Sequence, residues 1–396
     1  MTLDNTAARR LFLAHHGLAE PTAGPGRGDD LHTLIHALGF VQLDSIKTVE
    51  RAHHMILHAR RPSYRPKNLH PLLERDRRLF EHWTHDAAII PVEFFPYWRQ
   101  RFETSGQQIL QRWKKHRPGI EIRVAPVLQQ IQRVGPVCSS DVGDGEARGS
   151  GAWWDWHPSK SALHYLWHSG QISVTRRQSF RKFYDLTERV IPADLRARHI
   201  DETQITDWAC TQALTRLGFA TAGELAAFWA LITPAQARTW CEIALNSGEI
   251  VEIDVVGADG SPKTAFAHPD ISQSARDAPP PPGQVRILSP FDPALRDRKR
   301  ALRLFGFDFR IEVFVPRAKR KYGYYVFPVL EGARLIGRID MKCHRKDDVL
   351  RVTAFWPESD VKIGKARRAR LESAIARTAR FSGVSEVQFE NGWLRD

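Results

Sequence analysis

The sequence predicts an α+β fold, and three observations carry that prediction. A pattern of helix, stop and hairpin comes round three times before residue 272, most clearly at Ser169-Gly170-Gln171-Ile172 and Ser247-Gly248-Glu249-Ile250. A run of prolines, Pro279-Pro280-Pro281-Pro282-Gly283, then reads as a semi-rigid linker. Beyond it, apolar residues alternate as they do in half-buried strands. Helices followed by a two-stranded wing make a winged helix. The expected architecture is therefore three tandem winged-helix domains, over 1–120, 121–200 and 201–272. A small β-barrel or α+β module over 285–396 completes it.

In the first copy, Leu31, Leu34, Ile35 and Leu38 line one helix face. A short strand through Gln42 and Asp44 follows Gly39, and a second helix is expected to start near Ser45 and to carry Val49, Ala52, Ile56 and Leu57. Strand candidates at 79–90 supply its wing. In the second copy, a helix around Val127, Leu128 and Ile131 stops at Gly135-Pro136. A turn-rich loop covers 139–151, residues 161–167 are helical, and a strand at 172–174 reaches a turn at Arg176 and Arg177. Residues 180–184 return as a strand. In the third copy, Ile205, Trp208, Ala209 and Leu214 share a helix face, and a turn at 257–262 leads into a strand at 263–268. In the C-terminal module, Phe309, Ile311, Val313 and Val315 alternate strictly and predict a strand. Further strands are expected at 324–330, 335–341, 349–355 and 385–389, with an Arg-rich helix over 363–381.

Charge narrows the function. The chain of 396 residues carries a formal net charge of +13, and 42% of it is hydrophobic, ordinary for a soluble globular protein. Residues 317–370 hold 15 Lys/Arg against 6 Asp/Glu, a net +9. Tyr322, Tyr324, Tyr325, Phe327, Phe355 and Trp356 are interleaved with these cations. Basic side chains meet phosphates, and aromatics stack on bases or wedge between them, so nucleic acid is the expected partner. A solvated basic face is the plainer alternative. Nothing here reads as a membrane-surface helix, and no run of 18 apolar residues suggests a transmembrane span. The N-terminus lacks a signal-peptide layout, so a cytoplasmic protein is expected. Cys138, Cys210, Cys241 and Cys343 are scattered, and His53, His54, His82 and His85 lack acidic companions at zinc-enzyme spacing, so no metal site is expected.

The most informative stretch is Val41-Gln42-Leu43-Asp44. In an extended segment Gln42 and Asp44 share a face, while Val41 and Leu43 turn back into a core. An amide beside a carboxylate can hold and polarise a water molecule, which is what a hydrolase needs. The alternative is that Asp44 or Ser45 caps the next helix. Both readings stand on spacing alone. The tip of the expected C-terminal hairpin, with Lys342, His344, Arg345 and Lys346, is either a solvated edge or a probe for DNA.

The whole chain resembles the winged-helix DNA glycosylases of the YcaQ (AlkX) and AlkZ family. The marks are Gln42-Leu43-Asp44; Glu81-His82-Trp83-Thr84-His85-Asp86-Ala87; Trp153-Trp154-Asp155-Trp156; and Leu288-Ser289-Pro290-Phe291-Asp292-Pro293. Lys319-Arg320-Lys321-Tyr322-Gly323-Tyr324 and Gly337-Arg338-Ile339-Asp340-Met341-Lys342-Cys343-His344-Arg345 complete them. The resemblance implies three winged helices and a C-terminal barrel around a basic DNA-binding channel. It implies excision of alkylated purines and unhooking of interstrand crosslinks. The Gln–apolar–Asp motif resembles the YcaQ-like branch, which makes Asp44 and Gln42 the implied catalytic pair. Lys342, His344, Arg345, Lys346, Lys319, Arg320, Lys321, Arg338, Arg176 and Arg177 are the expected DNA contacts. No cofactor is implied, and a monomer is expected. With no lysine in the motif, a monofunctional enzyme without Schiff-base chemistry is expected. Trp153, Trp154 and Trp156 are read first as packing for the second winged helix. The rival readings are a winged-helix transcription regulator and an RNA-binding or architectural protein without chemistry.

Overall fold

A computed structural model of the chain describes residues 1–19, 23–117, 119–146 and 156–395. It divides into two units, one discontinuous (1–66 with 209–396) and one contiguous (67–208).

The discontinuous unit holds two sheets. The first has the strand order Thr2–Leu3, Val251–Val256, Pro262–Ala267, Phe219–Ala220. Thr2–Leu3 runs parallel to its neighbour, and the other pairs are antiparallel. Helices Ala222–Trp229 and Pro234–Asn246 precede the hairpin. Each starts at a threonine whose hydroxyl accepts the backbone N–H three residues on, while Glu224 or Gln236 reaches back to the threonine. These capping boxes satisfy amides that would otherwise be orphaned at a helix start. Gly248, with φ of +77°, turns the chain out of the second helix, so the Ser-Gly stop does what the sequence pattern implied. Helices Asn5–His15, Gly28–Leu38 and Ala52–Arg60 complete this part.

The second sheet has the order Val285–Ile287, Val326–Glu331, Arg334–His344, Val349–Pro357, Glu386–Phe389. All its pairs are antiparallel except the last. Register shifts at Val329/Leu330 and Asp340/Met341 let the sheet bend, and the helix Lys365–Ser382 packs against it. The edge strands do not pair with each other, so the expected small barrel is an open half-barrel.

The expected strand through Phe309–Val315 does not form. Residues 306–325 contain only one helical turn, Arg317–Lys319. Phe309 is buried as the alternation implied, whereas Ile311, Val313 and Val315 are only half-buried. Glu312, however, accepts backbone N–H groups from Lys321, Tyr322 and Gly323 at 2.8, 2.8 and 3.0 Å. A segment folded back through its own carboxylate has no straight edge to offer a ladder. The proline run is flanked by a helix, Ile271–Asp277, and a short strand, Val285–Ile287, that the sequence pattern does not predict.

The contiguous unit carries two hairpins. One pairs Leu79–Trp83 with Ala87–Pro91. The other pairs Ile172–Gln178 with Arg181–Leu186, and Val137–Cys138 adds to its second strand. Helices Arg99–His116, Val124–Val134 and Pro158–His168 accompany them. Ile131, Leu163, Leu166, Trp167, Ile172 and Leu186 form part of one apolar core. The helix Glu202–Leu217 carries the chain out of this unit. No helix among the described residues is long and apolar enough to cross a membrane.

Candidate active site and basic surface

The Gln42–Asp44 segment begins where Gly39, at φ of +84°, ends the helix Gly28–Leu38. Only Val41–Gln42 is regular strand. Val41 and Leu43 enter the core as expected, but Gln42 is also buried, at 4% exposure, while Asp44 is half-buried. The expected helix near Ser45 is absent. Residues 43–51 are a loop, and the next helix starts at Ala52 with Arg51 at its cap position. Neither Asp44 nor Ser45 therefore caps a helix. Asp44 Oδ1 instead accepts the Ile46 N–H at 2.7 Å, which closes a local turn of the kind aspartate favours. The capping reading fails because Ser45 to Arg51 are used to lay a loop across the half-barrel.

That loop is held from the hairpin Arg334–His344/Val349–Pro357. The Cys343 N–H donates to the Thr48 carbonyl at 2.8 Å. The Arg345 guanidinium donates to the Val49 carbonyl and pairs with Glu50 at 3.5 Å. Glu50 is buried and also pairs with Lys47 at 3.0 Å. Beneath Asp44 lies Tyr325. Burial first, and the Asp44 charge second, raise its phenol well above the ordinary value. The Ser289 hydroxyl opposes this weakly, since the Tyr325 hydroxyl has no hydrogen bond of good geometry. In the sequence, Ser289 stands in the Leu288–Pro293 mark and Tyr325 among the aromatics of the basic block. Nothing in spacing linked residues so distant in the chain to Asp44.

The expected DNA contacts fall into two groups. Lys319, Lys342 and Lys346 carry exposed ammonium groups with no side-chain partner among the described residues. Lys321 is exposed and rests over Tyr322, and Arg176 is exposed over Phe183. His344 is half-buried at the tip. Others are committed internally. Arg177 forms a forked pair with the buried Glu81 at 2.8–2.9 Å. Arg338 is buried, bonds Glu358 at 2.6 Å, and lies 4.4 Å from the ring centres of both Phe307 and Tyr322. Arg320 donates to the Val315 carbonyl at 2.8 Å. The guanidiniums of Arg177 and Arg338 are thus engaged with Glu81 and Glu358.

The remaining marks are also structural. Glu81 holds Arg177, and His82 Nε2 donates to the Trp167 carbonyl at 3.1 Å, packed against Phe102 and Trp167. Asp292 bonds Arg60 through both oxygens, at 2.8 and 2.9 Å. Trp156 packs on His164, whereas Trp153, Trp154 and Asp155 lie outside the described residues. Among the described residues, no group of three or more His, Cys, Asp or Glu is placed to hold a metal ion.

Comparison with known proteins bears on the chemistry. The family model for AlkZ-like DNA glycosylases matches residues 35–381. Among solved structures, the DNA glycosylase AlkZ of Streptomyces sahachiroi superposes with a TM-score of 0.65. It is 16% identical, and the match covers 98% of this chain and 100% of that one. At that identity the likeness is one of fold.

Proposed function

The chain belongs to the AlkZ-like DNA glycosylase family and is a DNA glycosylase, and from that premise we propose that it hydrolyses the N-glycosidic bond of N7-alkylated purines and unhooks interstrand crosslinks, with Asp44 and Gln42 at the reacting centre. Alkylation at N7 makes the base cationic and already a good leaving group, so no general acid is needed. Departure leaves an oxocarbenium-like sugar, which a carboxylate stabilises electrostatically. Asp44 serves that role and takes the proton from attacking water. Gln42 orients the same water. The supporting observation is the placement of Asp44. It is a half-buried carboxylate on a loop pinned at Thr48, Val49 and Glu50, so it is accessible yet held.

The exposed Lys319, Lys321, Lys342 and Lys346, with His344 at the tip, supply phosphate contacts on the same unit. Arg345 and Arg320 contribute through the backbone they hold. Arg176 supplies a contact on the other unit. The three helix–hairpin segments are read as winged helices that offer their faces to duplex DNA. With no lysine in the motif, the enzyme is monofunctional, and the reading requires no cofactor.

The test is single-turnover excision of N7-methylguanine from duplex DNA. Asp44→Asn keeps the shape and the turn-closing oxygen but removes the charge. Excision is expected to fall roughly 10²-fold or more, within the range for a lost general base, with DNA affinity unchanged. A near-wild-type rate would sink the assignment.

A further inference from the structure

The contiguous unit contains a cavity of about 790 Å³ that takes no part in the mechanism above. Its size suits a small-molecule site, for which roughly 300–1,000 Å³ is usual. Among the described residues its wall has four tryptophans, five Lys/Arg side chains and no Asp or Glu. Two polar nitrogens in this wall lack partners. Trp83 Nε1 and His168 Nε2 are buried without a hydrogen bond. The Lys182 ammonium makes no hydrogen bond or ion pair among the described residues, and lies 3.3 Å from the Trp167 ring centre. Arg112, on the rim, likewise has no ion pair.

Buried polar groups without partners are costly, and two in one wall, beside an ammonium held only over a ring face, call for something that pairs with them. The missing partner must be an acceptor, because the ammonium and the indole N–H can only donate. It must be anionic, because five cations and no carboxylate line the wall among the described residues. It must also be flat and aromatic, because the walls offer indole faces. We propose that this cavity binds a single unpaired nucleotide, its base against the half-buried Trp83 and its phosphate toward Lys182 and Arg112. Burial lowers Lys182 to about 7, and a bound phosphate would restore its charge. Such a site recognises the undamaged backbone-plus-base chemistry that any displaced nucleotide presents, and does not depend on the Asp44 assignment.

Tryptophan fluorescence of the full chain, titrated at fixed salt, tests this. Deoxyguanosine monophosphate should quench saturably. Deoxyguanosine and inorganic phosphate, each holding half the chemistry, should bind about tenfold or more weakly, as expected for losing one charge-assisted contact or the stacking. Lys182→Met and Arg112→Ala should each weaken binding about tenfold. Arg112 is exposed, so its variant keeps the fold whether or not Lys182→Met does. Asp44→Asn should bind as wild type. If a short single-stranded oligonucleotide competes at least as well as the mononucleotide, the occupant belongs to a DNA strand. If it does not compete, the occupant is a free nucleotide. Absence of saturable quenching overturns the proposal, as does full affinity in Arg112→Ala, or lost affinity in Asp44→Asn.

Discussion

Arg60 has its guanidinium bonded on every side inside the discontinuous unit. It donates to the His16 carbonyl at 2.7 Å, the Ile56 carbonyl at 2.9 Å and both oxygens of Asp292, with no solvent exposure on either side chain. Asp292 also accepts the Ala294 N–H at 3.0 Å. A buried pair contributes little net stability when made, but breaking it strands a charge. Asp292→Ala should therefore lose about 3–5 kcal/mol in urea unfolding, and a loss below about 1 kcal/mol would mean that water replaces the carboxylate. The contrast with Asp44 is instructive. Both aspartates stand in sequence marks, yet one serves the fold and the other is left half-exposed. The sequence revealed the residue types and not this division, because Asp292 meets Arg60 across 232 positions.

At the scale of elements, the hairpins were legible and the long loop was not. Alternation and Ser-Gly stops reported the Ile172–Gln178 and Val251–Val256 strands because each has a partner a turn away. Residues 309–315 show the same alternation, but Glu312 ties that stretch to Lys321–Gly323 and removes the partner. The hairpin tip was read as a probe, and its anchoring role was hidden because the contact with Val49 is non-local. Arg345→Ala should slow excision more than it weakens DNA binding, since it releases the Asp44 loop. Equal losses in rate and affinity would favour direct phosphate contact. The strand Leu79–Trp83 offers a pH test through His82, which burial lowers to about 3. Its ordinary value is near 6.5, so below that pH the unfolded chain takes a proton that the folded chain refuses. Stability is whole above about 6.5 and is lost as pH falls toward 3, by up to about 1.4 kcal/mol per pH unit. His82→Gln should flatten the fall in urea midpoint between pH 6.5 and 4, and identical slopes in the two proteins would exclude it.

At the scale of the molecule, the charge of +13 predicts strong dependence on ionic strength. If 6–10 phosphates are contacted, affinity should drop on the order of 10³–10⁵-fold between 50 and 200 mM salt. A flat titration would remove the basic surface from the account of DNA binding. The pairing of Thr2–Leu3 with Val251–Val256 bears on something else, the order in which the molecule is built. Residues 1–66 leave the ribosome before 67–208, yet their sheet partner lies far downstream. The early segment must wait unpaired while the contiguous unit assembles from nearby contacts, because closing a long loop precedes the reward for it. The part of the chain that holds Asp44 is thus translated before the contiguous unit and completed after it.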